Sequence, residues 1–170
     1  MTTESVVPEV HHAWAIYLRA SEEARRRGDR RTGTDHLLLA LLEDPSTEVA
    51  LGVTLQQARQ AQESLDHEAL GALGMVFGTD APPLPMRAVP KKPRLRDVAK
   101  KDRLRMTPAA KKVLEEAVKP HRRKTQVTAQ QVLAQILTLQ PPDPAAVLLG
   151  ALSVNTSEVR RRLDAVTLDS

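Results

Sequence analysis

Of the five histidines, the adjacent His11 and His12, with His36 elsewhere, raise the question of a metal site or of proton transfer. Glu4, Glu9 and Asp35 are the only nearby carboxylates. Adjacent histidines on a helix project about 100° apart, and neither His11 nor His12 has an Asp, Glu or His four residues on to share its face. The spacing predicts no metal site. No cysteine occurs, which excludes thiol nucleophiles, disulfide frameworks and zinc knuckles. The serine-hydrolase elbow GxSxG, the metalloprotease pair HExxH and the dinucleotide loop GxGxxG are absent as well. The chain therefore reads as non-catalytic and without a cofactor. Two features remain that could meet a ligand or partner. Asp35 and His36 follow Thr34 at the start of an apolar run, where an acid favours the positive end of a helix and could also face a ligand. Trp14 stands beside the apolar stripe of its own segment, so it serves either as an anchor for a partner or as volume for an aliphatic core.

The elements that carry these residues come in two copies. Ala13, Ile16, Tyr17, Ala20 and Ala24 lie at helical spacing, and Ala110, Val113, Leu114 and Ala117 repeat the pattern 97 residues on. Thr34 to Leu42 matches Thr128 to Ile136 at an offset of 94, each Thr reading as an N-cap, with Gln131 completing a capping box in the second copy. Thr107 before Pro108 reads as a cap in the same way. A third match, at an offset of 101, pairs Thr54 and Gln57 with Asn155 and Glu158 as cap and N3 partner. The pattern predicts an all-α tandem repeat of short helices, with Leu38, Leu41, Leu42, Val132, Leu133 and Ile136 in the core. The amphipathic segments after Thr54 and Asn155 are expected to reach about Leu65 and Leu163, with a separate short helix after Asp66.

Between the copies the composition changes. Five prolines lie between Thr79 and Pro93, and nine Lys or Arg against two Asp lie between Arg87 and Arg105, so that one segment carries +7 in a chain of net +4. The chain divides on this reading into residues 1–78, the first repeat with its extra helix, 79–105, a flexible Pro-rich cationic linker, and 106–170, the second repeat. Nine cations would attract a nucleic-acid backbone, the alternative reading of function, but no aromatic residue is interleaved for stacking on bases. No apolar run is long enough to span a bilayer, and residues 1–8 lack the basic and apolar regions of a signal peptide. A cytoplasmic protein with no membrane contact is expected.

These motifs resemble a known family. Residues 34–44, TDHLLLALLED, resemble the Thr-Glu-His-Leu-Leu-Leu signature of the Clp ATPase N-terminal repeat; residues 106–117, MTPAAKKVLEEA, are similar to the opening of that family's second repeat, and 145–163 to its closing helices. The resemblance implies a pseudo-two-fold bundle of roughly eight helices. It implies a docking role for substrates, adaptors or small ligands of Clp unfoldases, with contact to a Clp unfoldase as a further expectation. No GxxxxGKS or GxxxxGKT loop occurs, so the chain looks like a docking domain without its ATPase, one that would sequester ligands or regulate Clp proteolysis. The resemblance also implies a phosphoarginine pocket in each repeat, formed by a Thr at the phosphate and an acid at the guanidinium. Carried over residue by residue, these positions are Val10 with Asp35 and His36 in the first repeat, and Thr107 with Ala129 in the second. Each pair lacks one of the two chemical groups, which predicts weak phosphoarginine binding or none.

Overall fold

A computed structural model describes residues 10–74, 104–119 and 126–168. Among them are eight α-helices: α1 Ala13–Arg27, α2 Thr34–Leu41, α3 Pro45–Leu51, α4 Leu55–Ala72, α5 Pro108–Val118, α6 Ala129–Ile136, α7 Pro144–Ala151 and α8 Thr156–Leu168. Their starts are written into the sequence. Asp44, Thr54, Thr107, Thr128 and Asp143 are N-caps whose side chains accept a backbone amide of the first turn, and Pro45, Pro108 and Pro144 occupy first helical positions, where a missing N–H costs nothing. Thr54 with Gln57 and Thr128 with Gln131 form complete capping boxes. Asn155 Oδ1 accepts from the Glu158 amide at 3.1 Å, the third match of the repeat.

Three details depart from the sequence expectation. Gly33 is the N-cap of α2 and Thr34 its first helical residue, so the two central helices align at an offset of 95, one residue beyond that of the motif. The burial pattern agrees: Leu37, Leu38, Leu41 and Leu42 match Val132, Leu133, Ile136 and Leu137, all buried. The second departure is α4, which runs unbroken to Ala72, because nothing near Leu65 interrupts helical hydrogen bonding and Arg27 clamps Asp66 on its flank. It stops at Gly74, with φ of 73°. The third is a set of four strands of two or three residues that the helical pattern does not signal: β1 Val10–His12, β2 Arg31–Thr32, β3 Arg105–Met106 and β4 Gln126–Thr128.

These strands cross between the repeats. β1, leading into α1, pairs antiparallel with β4, leading into α6; β3, leading into α5, pairs parallel with β2, leading into α2. The core is shared in the same way: α2 packs on α1 of its own repeat and on α5, α6 and α7 of the other. Leu37 to Leu42 are all buried, so α2 is the central helix. Thr34 ties it to α7 directly, its Oγ1 donating to Asp143 Oδ1 at 2.6 Å. Arg105 lies in β3, within the stretch 79–105 read from sequence as a linker; residues 75–103 lie outside the described residues, as do the neighbouring 120–125.

Candidate functional site

Two places in the fold gather the residues singled out by sequence. The first is the opening turn of α2. Asp35 is buried, at 8% exposure, and one oxygen of its carboxylate is held by side chains from two other helices. Oδ2 accepts from Gln62 Nε2 on α4 at 2.7 Å and from Arg27 Nη1 at the end of α1 at 3.4 Å; Oδ1 lies 3.2 Å from His36 Nδ1. Arg27 also forks onto both oxygens of Asp66, at 2.7 and 2.8 Å. Burial pushes the Asp35 carboxyl up, but the His36 contacts and the Arg27 charge outweigh it and hold the pKa below its ordinary value. His36 Nδ1 accepts the Gly33 amide at 3.0 Å, so the neutral ring carries its proton on Nε2, which donates to Asp29 Oδ2 at 2.9 Å. Burial disfavours the charged ring, yet Asp35 and Asp29 prevail and raise its pKa above the ordinary value. His36 thus does for Gly33 what Gln131 does for Thr128, which makes it a helix-capping side chain as well as a partner of two acids.

Strand crossing changes which of the other positions belong together. Val10 pairs with Thr128, beside the start of α6 and Ala129, while Thr107 donates its amide to Thr32 O at 2.9 Å, beside the start of α2. The sequence reading grouped Val10 with Asp35 and Thr107 with Ala129, repeat by repeat; the backbone pairs them the other way. Ala129 is the first residue of α6 and corresponds to Thr34, and the residue corresponding to Asp35 is Gln130. Thr107 spends its hydroxyl on its own helix, accepting the Ala110 amide at 3.2 Å.

The second place is a groove of about 520 Å³ between α1 and α5. Ala13, Trp14 and Tyr17 line it from α1, Leu114 and Val118 from α5, and Met106 from β3. Trp14 is 44% exposed and its ring lies 5.0 Å from that of Tyr17, tilted by 45°. Tyr17 belongs to the core and donates its hydroxyl to Leu104 O, just before β3. Lys111, Glu115 and Lys119 line the polar edge. Sequence singled out Trp14 alone. Tyr17, Leu114 and Val118 carry the same helical signal as core residues, and only the placement of α5 against α1 shows that they also line the groove.

Among the described residues no group of three or more His, Asp or Glu could hold a metal, and no helix is long and apolar enough to cross a membrane. A search of curated proteins finds no match. The structure is similar to the crystal structure of the N-terminal domain of the caseinolytic protease associated chaperone ClpD from Arabidopsis thaliana, at 18% identity over the whole of both chains and a TM-score of 0.59. A likeness at that identity speaks for the fold. The family model of the Clp repeat N-terminal domain matches residues 11–138, from the first repeat through α6 of the second, and the chain belongs to that family.

Proposed function

We propose that this chain is a non-catalytic docking module that takes apolar segments of partner proteins into the α1–α5 groove, the partners being substrates or adaptors of a Clp unfoldase. The observation that carries this reading is the groove itself. Trp14, 44% exposed and tilted against Tyr17, lines the groove with Leu114 and Val118 to give an apolar lining with a polar edge, and aromatic anchors of that kind dominate binding energy at interfaces. Family membership supplies the class of partner. A module of this kind binds the same partners whether or not an unfoldase ring engages it, and in excess it withholds them from the ring. The reading does not rest on phosphoarginine, because the Asp35 carboxylate already has Arg27 as its guanidinium and Gln62 as its amide.

The test is the binding of a fluorescently labelled, permanently unfolded polypeptide, followed by anisotropy. Trp14→Ala removes an exposed ring and leaves the core intact, so the fold should survive while affinity falls by roughly thirtyfold, the effect of an anchor residue worth about 2 kcal/mol. Unchanged affinity in a folded Trp14→Ala chain would place docking elsewhere.

A further inference from the structure

We infer that the groove's occupant is an amphipathic helix whose flank carries an acidic, a basic and an acidic residue at four-residue intervals. This rests on the docking reading above and adds the identity of the partner segment. Lys111, Glu115 and Lys119 are four residues apart on one helix, and Lys119, the C-cap of α5, keeps helical backbone angles. At a rise of 1.5 Å per residue they form a cation, anion, cation row roughly 12 Å long. Leu114 and Val118 lie beside the row at the spacings that complete one continuous helix face, i, i+3, i+4, i+7 and i+8. Such a face is what a second helix packs against, apolar seam to apolar seam with the charged flanks alongside, as in helix-in-groove recognition.

The existing partners of the row do not oppose this. Lys111 lies 3.5 Å from Glu115, and Lys119 pairs with Glu116, all on side chains more than a third exposed. Exposed pairs of this type are weak and exchange readily for pairs with an incoming helix. The two lysines give the row that lines the groove an excess of one positive charge. The complement is therefore an acidic-rich flank with a single base at its centre. An unpatterned apolar peptide would gain the seam but not the row, so the row selects among amphipathic helices by attraction to one charge order and repulsion of its reverse.

The experiment uses the full chain and two synthetic helical peptides of about fourteen residues with the same Leu seam. One carries Glu, Lys and Glu at four-residue spacing beside the seam, the other Lys, Glu and Lys. Binding is read from peptide anisotropy and from the emission of Trp14, the only tryptophan in the chain. The first peptide should bind about tenfold more tightly than the second at low salt, and the difference should shrink toward equality at about 1 M salt, where screening acts within about 3 Å. In the triple variant Lys111→Glu, Glu115→Lys, Lys119→Glu, all at exposed positions, the preference should invert. Equal binding of the two peptides would overturn the charge rule and leave the groove as a docking site. Binding of neither, with no response from Trp14, would overturn the helix as occupant, and the unfolded-polypeptide assay then decides separately whether the groove docks anything. A preference that survives the triple reversal would show that another surface reads the charge.

Discussion

At the scale of single residues, the opening turn of α2 contains a competition for one nitrogen. His36 Nδ1 accepts the Gly33 amide when the ring is neutral, and protonation redirects it as a donor to Asp35 Oδ1, 3.2 Å away, releasing that amide. The pH dependence follows from the two shifts. His36 has its pKa raised above 6.5 on folding, so its contribution to stability is fully present below about pH 6.5 and is lost as pH rises through the folded value. Asp35 has its pKa lowered below 3.8, so its contribution is present above that value and is lost as pH falls through the folded one. His36→Gln supplies the side chain that the second repeat uses at the same place, Gln131, and removes the titration. Denaturant midpoints measured from pH 6 to 9 should fall for the unmodified chain and stay nearly flat for His36→Gln. Parallel curves for the two would mean that His36 does not titrate with folding.

At the scale of elements, α2 is the piece on which both repeats depend. Leu38 is fully buried at its centre, and Leu38→Ala should cost about 2–5 kcal/mol of unfolding free energy in denaturant titration. Thr34→Val tests the tie between repeats separately: it keeps the volume but leaves Asp143 without its hydroxyl partner, which should cost about 1.5–3 kcal/mol. A loss below 0.5 kcal/mol, roughly the effect of a neutral surface change, would mean that the tie holds nothing. Much of this layer is legible in sequence, because a cap such as Thr54, Thr107 or Thr128 and a stripe such as Ala110, Val113, Leu114 and Ala117 are local signals. The offset of the central helices is harder, since Thr34 mimics a cap while Gly33, which offers no side chain, performs the role with help from His36. The crossing of β1 to β4 and β3 to β2 has no local signal at all: strands of two or three residues show no periodicity. For the same reason the partners of Asp35 remain hidden, since Arg27 and Gln62 reach it from other helices. The groove is the least legible, because Tyr17 and Leu114 are core residues by pattern and by burial, and that they also line a groove shows only when α1 and α5 are set side by side.

At the scale of the whole molecule, the two repeats bury their central helices against each other and leave their first helices, α1 and α5, with an apolar face open between them. On the docking proposal, α1 and α5 both contribute to the core, through Ile16, Ala20, Val113 and Ala117, and offer the groove between them to a partner. The measurement that tests it most directly is amide chemical-shift mapping of the full chain during titration with an unfolded Clp substrate. The largest changes should fall on Trp14 and its indole N–H, Tyr17, Met106, Leu114 and Val118, while exposed positions on the remote helices, such as Gln60 on α4 and Arg160 on α8, stay in place. Largest changes at Gly33 to His36, or along α4 and α8 with the groove unmoved, would contradict the assignment of recognition to the α1–α5 groove.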